Sequence, residues 1–431
     1  MPQTNSWSTP GAVPPPEPAP EPAAPLEGGA LVLAEAKVPP PPPREGPPLE
    51  ARELWIEVVS TAEQLGAAAQ ECEDLADAAL EPNPFYEPWM LRSALREFTA
   101  GKHVEVALVY GPHPSRRRGA RQLCGLFPVE LRRVGPVRIA QLWQHPYCYL
   151  CTPLLRAAQA RPTLARFFDW IAERATLLRL VDLPADGELH QMLIDELNAR
   201  GWSCQVASWY TRALLRPSES GEDYLEQALC GKRRKELRRQ RARLAEQGRL
   251  EIDELQSGVH LRRWLDEFIQ LEASGWKGRA AVALSGRERD LRWFAEMIEE
   301  ALRRGRLMML GLRLDGRPIA LKVNLHAGTG SFAFKIAFDE RFSRFSPGVL
   351  LELDNVHRVH ERKEIAWMDS CAASNRFMIN HLWPHRRAIQ TLLVAPGGGL
   401  RALLLAVLPL ARLVRDFFRR AKKTDPRIDH A

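Results

Sequence analysis

Apolar positions change their period several times along the chain, and each change marks an element. "LWIEVV", from Leu54, alternates as a strand does, and "AEQLGAAAQECEDLADAAL", from Ala62, carries helical spacing. "HVEVALVY" and "LCGLFPVEL" read as a strand pair with a basic loop between them. Helices from about Pro162 to Ala175 and from Leu189 to Arg200 precede the strands "LRLVDLP" and "SCQVAS". The second half follows the same plan. "HLRRWLDEFIQLEAS" places Leu261, Leu265 and Phe268 on one helix face. "SGRE" at Ser285–Glu288 predicts a capping box for a helix that stops at Gly305. "RLMMLGLRL", an Asp315-Gly316 turn, "PIALKVNLH", an Ala-Gly-Thr-Gly turn and "SFAFKIAF" make an antiparallel meander. A helix capped by Ser346 and a strand, "EIAWMD", then close a crossover with a parallel pair. "CTPLL" at Cys151–Leu155 matches "FSPGVLL" in pattern, so the two halves read as a repeat. The fold class expected is mixed α/β (α+β), with two similar units, each a mostly antiparallel sheet with a parallel end.

Composition changes the picture at the N-terminus. Of 34 prolines, 16 lie in residues 1–50, with six acids and two bases, which predicts a disordered tail without the pattern of a secretory signal. The remainder has 58 Lys+Arg against 47 Asp+Glu, or +11. Such a body suits phosphate-bearing or acidic partners, or an anionic membrane. The seven cysteines show no disulfide framework, which favours a reducing cytoplasm, and Cys148 and Cys151 form a lone C-x-x-C without a second pair. No metal site is expected. "LRALLLAVLPLARLVRDFFRRAKK" is too short and interrupted to span a bilayer. It reads equally as a packed helix or as a peripheral contact with the inner membrane. The divisions expected are 1–50, 51–205, 206–388 and 389–431.

Candidate chemistry gathers in the second half. A four-residue loop at Ala327–Gly330 would set Lys322 directly opposite Lys335, and two like charges there call for a carboxylate or an anionic ligand. Glu272 continues the buried series of its helix and could supply that charge; it opens "EASGWKG", with Trp276 and Lys277 between glycines. Asp369 ends a parallel strand, where open α/β sheets bind ligands, and His381 follows it. Gly231–Leu250 is a strongly basic helix, fit for an acidic carrier, an anionic lipid or RNA. It has no interleaved aromatics, so nucleic acid is disfavoured. Pro347 and Gly348 open a helix whose free N–H groups, with Arg344 beside them, suit an anion. No P-loop, G-x-G-x-x-G or H-E-x-x-H is present.

"EASGWKG", "GRPIALKVNL", "FAFKIAFDERFSRFSPGVLL" and "MDSCAASNRFMINHLW" resemble the bacterial GNAT-superfamily acyltransferases of the CelD-like and BcsL-like group associated with cellulose biosynthesis. "NPFYEPWML", Asn83–Leu91, resembles the group's N-terminal half, and Fem-type transferases share the tandem GNAT plan. The resemblance implies an acyl-CoA donor whose pyrophosphate rests on Arg344, Ser346, Gly348 and Val349. This stretch departs from the family's Q/R-x-x-G-x-G/A loop, having Pro347 and one glycine, so an acyl carrier protein or an aminoacyl-tRNA stays open as donor. Glu272 or Asp369 would take the proton of an amine acceptor. Lys335, or an N–H on its strand, would stabilise the oxyanion. His381 is a further catalytic candidate, and Trp276, Lys277 and Lys322 are candidates for binding the acceptor. The function expected is N-acyl transfer in exopolysaccharide, cellulose or envelope metabolism. The alternatives are a membrane-associated lipid N-acyltransferase and a non-catalytic scaffold.

Overall fold

The computed structural model describes residues 50–113, 120–275, 283–372 and 377–397, together with 401 and 405. The proline-rich tail up to residue 49, Trp276 and Lys277, and nearly all of the C-terminal apolar-basic stretch lie outside the described residues.

The first half runs β1 (Trp55–Val59), α1 (Ala62–Ala67), α2 (Ala69–Asp77), α3 (Pro88–Phe98), β2 (His103–Pro112), β3 (Arg121–Val134), β4 (Val137–Leu142), β5 (Leu154–Leu155), α4 (Ala160–Arg174), β6 (Leu177–Pro184) and α5 (Gly187–Ala199). The second half runs β7 (Ser203–Leu215), α6 (Gly221–Ala228), α7 (Gly231–Ala245), β8 (Leu250–Glu254), α8 (Leu261–Ser274), α9 (Glu288–Arg303), β9 (Leu307–Leu314), β10 (Arg317–Ala327), β11 (Gly330–Phe338), α10 (Pro347–Glu361), β12 (Trp367–Asp369), α11 (Phe377–Leu382) and β13 (His385–Ala395). All strands join one mixed sheet in the order β1-β2-β3-β4-β6-β13-β7-β12-β11-β10-β9-β8, with β5 on β3. Each half is an antiparallel meander followed by a helical crossover to a parallel strand, β4 to β6 and β11 to β12. β13, from the far end of the chain, lies between β6 and β7, antiparallel to both.

The mixed α/β architecture agrees with the alternation of periods in the sequence. The internal repeat is real in topology but not in the stretch "CTPLL". The crossover helix α4 starts at Ala160, and Cys151–Leu155 are loop and the short β5. Ser285–Glu288 likewise makes no capping box. Leu284–Gly286 is a 3-10 turn, and Arg287 occupies the N-cap of α9 without a side-chain bond.

The halves are tied by α3 against α9. Ser93 Oγ donates to Glu296 Oε2 at 2.8 Å, Arg96 pairs with the same carboxylate, and Arg292 meets Glu97 at 3.0 Å. Buried residues of α8 and α9 share a core with the first half. α6, α7 and α10 cover the other face of β8–β12.

Glu87 leads into α3 and is 4% exposed. Burial pushes its carboxyl up to about 7, although Arg306 Nε, 4.0 Å away, and the Trp89 indole N–H favour the ionised form. A folded value above the unfolded 4.5 means that Glu87 favours folding below pH 4.5. That contribution is lost as pH rises through about 7. Glu87→Gln is therefore expected to gain stability over wild type as pH is raised across this window, by on the order of 3 kcal/mol. Urea titrations at several pH values measure it, and parallel curves for the two proteins would refute it.

Candidate active site

Strand β11 builds the centre of the site. Its hairpin with β10 pairs His326 with Ser331, as expected, but Ala327 also pairs with Gly330, so the loop is only Gly328 and Thr329. Further along, Val323 faces Lys335 but Asn324 faces Ala333, so Phe334 is an inserted residue, a β-bulge. The bulge corrects the expected pairing of the lysines. Lys322 lies opposite Ile336, not Lys335. The facing of the strand also changes at the insertion. Phe332, Phe334 and Ala337 join the core on the α8 side, whereas Ala333 and Phe338 join the core under α10.

The two lysines therefore point to opposite faces, and each finds its own carboxylate. Lys335 Nζ donates to Glu272 Oε1 at 2.8 Å, and Leu284 N–H donates to Glu272 Oε2 at 2.8 Å. Glu272 is 2% exposed, on the buried side of α8 as its spacing predicts. Lys322 pairs with Glu352 of α10 at 2.8 Å. Glu352 Oε1 accepts from Asn355 Nδ2 at 2.8 Å, and Asn355 Oδ1 accepts from Asn324 Nδ2 at 2.8 Å. All four residues of this chain are buried, so Lys322 belongs to a network under α10 and lies across the sheet from Glu272.

β12 stays with β11 for three residues only, Trp367–Asp369 against Gly330–Phe332. On its other side β12 continues to β7. The two strands part beside the bulge, and β11 continues from Ala333 to Phe338 without β12. Asp369 ends β12 fully buried. Its Oδ2 accepts from Arg212 at 2.6 Å and Arg387 at 3.0 Å, and its Oδ1 accepts from Cys371 N–H at 2.9 Å. Burial opposes the charge, but the guanidiniums of Arg212 and Arg387 outweigh it and hold the carboxyl below its ordinary range. Arg212 also donates to the backbone carbonyl of Tyr149 at 2.7 Å.

Tyr149 lies on a first-half loop, residues 143–153, that reaches the second-half strand. "NPFYEPW" fixes this loop. Asn83 Nδ2 donates to the carbonyls of Leu150 at 3.1 Å and Thr152 at 2.7 Å, and Tyr86 donates to that of Trp143 at 2.8 Å. The loop sets Tyr147 beneath Lys335, with Nζ 5.3 Å from the ring centroid, and stacks that ring on Trp293 at 4.6 Å. Tyr147 donates to Asp290 at 2.9 Å. Tyr149, half-buried, meets Phe85 and Phe334, each at 5.7 Å. Burial pushes both phenols up. Cys148 and Cys151 on the same loop are buried with their Sγ atoms 3.8 Å apart. Among the described residues no group of three His, Cys, Asp or Glu side chains could hold a metal ion.

The start of α10 differs from the simple cap. Ser346 is in the left-handed region, φ 53° and ψ 52°, and its side chain makes no capping bond. A capping hydroxyl requires an extended residue, so that expectation fails on backbone geometry. The Ser346 carbonyl accepts instead from Val349 N–H at 2.9 Å and Leu350 N–H at 3.0 Å. Gly348 lies against β11, where a Cβ would meet Phe338 at 3.3 Å and Ile336 at 3.7 Å. Its lack of a side chain lets helix and strand approach closely. Arg344 lies in the last turn of the 3-10 segment Glu340–Phe345, exposed, its guanidinium 4.5 Å from the Phe345 ring centroid.

Glu272, Lys335 and the start of α10 thus stand around one strand. Asp369 stands where β12 leaves it, and His381 is exposed on α11. Tyr147, Tyr149, Arg212 and Arg387 escaped the sequence reading. Each acts with a partner from another part of the chain, and only "NPFYEPWML" hinted at the loop.

The model of the acetyltransferase (GNAT) domain family matches residues 231–377. Among curated proteins none matches the chain. The solved structure of FemX is similar at 10% identity and a TM-score of 0.52, covering 76% of this chain and 95% of its own. A conserved protein of unknown function from Bacteroides thetaiotaomicron VPI-5482 is similar at 10% identity and a TM-score of 0.50, covering 79% of this chain and 100% of its own. Both likenesses are of fold alone. Residues 231–377 carry an acetyltransferase (GNAT) domain, which makes the protein an acyltransferase.

Proposed function

We propose that the protein transfers an acyl group from a phosphopantetheine thioester such as acyl-CoA to an amine, forming an amide and releasing the thiol. The carrying observation is the parting of β11 from β12 beside the Phe334 bulge, between the Lys335–Glu272 pair and the start of α10. A thioester lying along the open stretch of β11 would have its carbonyl near the bulge and its phosphate toward Arg344–Val349. Backbone N–H groups of the strand, with Lys335, would stabilise the oxyanion. Glu272 is the proposed acceptor of the amine's proton. Asp369, locked between two guanidiniums, is proposed to position Tyr149 through Arg212. The resemblance of the family motifs supports an acceptor in envelope or exopolysaccharide metabolism.

Arg344 tests the donor site. A charge-assisted contact is worth on the order of 1.5–3 kcal/mol. Arg344→Ala should thus weaken acyl-CoA binding by roughly ten- to a hundredfold in calorimetric titration, with thermal stability unchanged. Wild-type affinity in the variant would rule out a phosphate there. Gly348→Val is a poorer probe, because its side chain would strike Phe338.

A further inference from the structure

We propose that the exposed face of α7 docks an acidic acyl carrier protein, which delivers its phosphopantetheine thioester to the start of α10. The proposal rests on the donor site just described.

The helix carries eight Lys/Arg against one acid, Glu236. Leu237 and Leu244 are buried. On the side away from them, Lys232, Lys235, Arg239 and Arg243 recur at helical spacing, all exposed. The stripe runs for about 16 Å at the rise of an α-helix. Arg234 and Arg241 are occupied in holding the helix, by Glu226 and by Asp354 of α10. Arg239 is 2.8 Å from Glu236. Among the described residues, Lys232, Lys235 and Arg243 pair with no carboxylate.

Position and cradle size choose the partner. α7 packs against the 3-10 turn that bears Arg344 and leads into α10, so the stripe flanks the donor site. That site offers few donors. Pro347 has no N–H, and those of Val349 and Leu350 are turned to Ser346, which leaves Gly348 N–H in the first turn. Such a cradle suits the single phosphodiester of a carrier-borne arm better than a pyrophosphate. A cationic stripe of this length suits an acidic protein surface, which it would steer in a salt-dependent way. RNA fits less well, because α7 contains no aromatic residue on which bases could stack. The reaction balances as for any thioester donor. The C–S bond breaks, the C–N bond forms, and the amine's proton accompanies the departing thiol.

The test uses the full chain, with palmitoyl-acyl carrier protein and palmitoyl-CoA as probes in binding titrations at low and high salt. In the triple variant Lys232→Glu/Lys235→Glu/Arg243→Glu, carrier affinity at low salt should fall by more than about tenfold. Palmitoyl-CoA affinity should stay within about twofold, and high salt should weaken carrier binding to wild type. The proposal is overturned if wild type binds palmitoyl-CoA but not the carrier, or if the triple variant keeps carrier affinity. Transfer RNA binding with carrier binding absent would overturn it in favour of a nucleic acid. Arg344→Ala without effect on palmitoyl-CoA would instead bring down the donor site, and this proposal with it.

Discussion

Asp369→Ala is expected to destabilise the protein by about 3–5 kcal/mol, the loss typical of breaking a buried ion pair on one side. The carboxylate is fully buried, and its Oδ2 serves Arg212 at 2.6 Å and Arg387 at 3.0 Å. The Arg212 side chain is 2% exposed, and its Nε already lacks a partner among the described residues. Removing Asp369 leaves two guanidiniums facing each other in the sheet without an anion. β12, β7 and β13 meet there, and Arg212 also holds the Tyr149 carbonyl of the first half, so the damage reaches both halves. Asp369→Asn keeps the shape but loses the charge, and should recover only part of the deficit. The carboxyl's folded value lies below 3.8, so its contribution is present above pH 3.8 and fades as acid protonates it. The gap between wild type and Asp369→Asn should therefore narrow on acidification below that point. Urea denaturation gives all three numbers. A loss below about 1 kcal/mol for the alanine variant would mean that the arginines find other partners.

Glu272 carries the second large effect. Glu272→Ala strands Lys335, whose side chain is 9% exposed, and should cost about 3–5 kcal/mol. As the proton acceptor, Glu272 should also contribute roughly 10²–10⁴-fold to turnover. The double variant Glu272→Met/Lys335→Met separates the two effects. Replacing a whole buried pair by apolar side chains is often close to neutral, so stability should return. Turnover should stay lost, because the proton acceptor and the oxyanion's lysine are both gone. If the double variant regains both stability and turnover, Glu272 is structural and the acceptor of the proton lies elsewhere.

Much of the fold was legible because local periodicity specifies local elements. The β9–β11 meander, its turns and the crossover through α10 follow from alternation, Asp-Gly and Gly-rich turns, and a proline at a helix start. Glu272 was legible for the same reason, as a carboxylate within an apolar helical stripe. The facing of Lys322 and Lys335 was not. A one-residue bulge leaves no mark in the sequence of β11, yet it flips every side chain beyond it. Ser346 misled because residue type favours a cap, whereas the backbone enters α10 in the left-handed region. The Arg212–Asp369–Arg387 cluster joins positions 157 and 18 residues apart along the chain, and no local pattern encodes such a meeting.

The insertion of β13 between β6 and β7 also sets an order on synthesis. Cys204 of β7 pairs with Val394, and Leu180 of β6 pairs with Leu392, so both ladders wait for residues some 190 and 212 positions further along the chain. Until residues 385–395 leave the ribosome, β6 and β7 each present an open edge, and Trp209 and Val206 add exposed apolar surface nearby. Pairing over such separations is slow to form. A nascent chain stalled before β13 should therefore be a good client for chaperones that shield strand edges. Synthetic β13 peptide added in trans should release it.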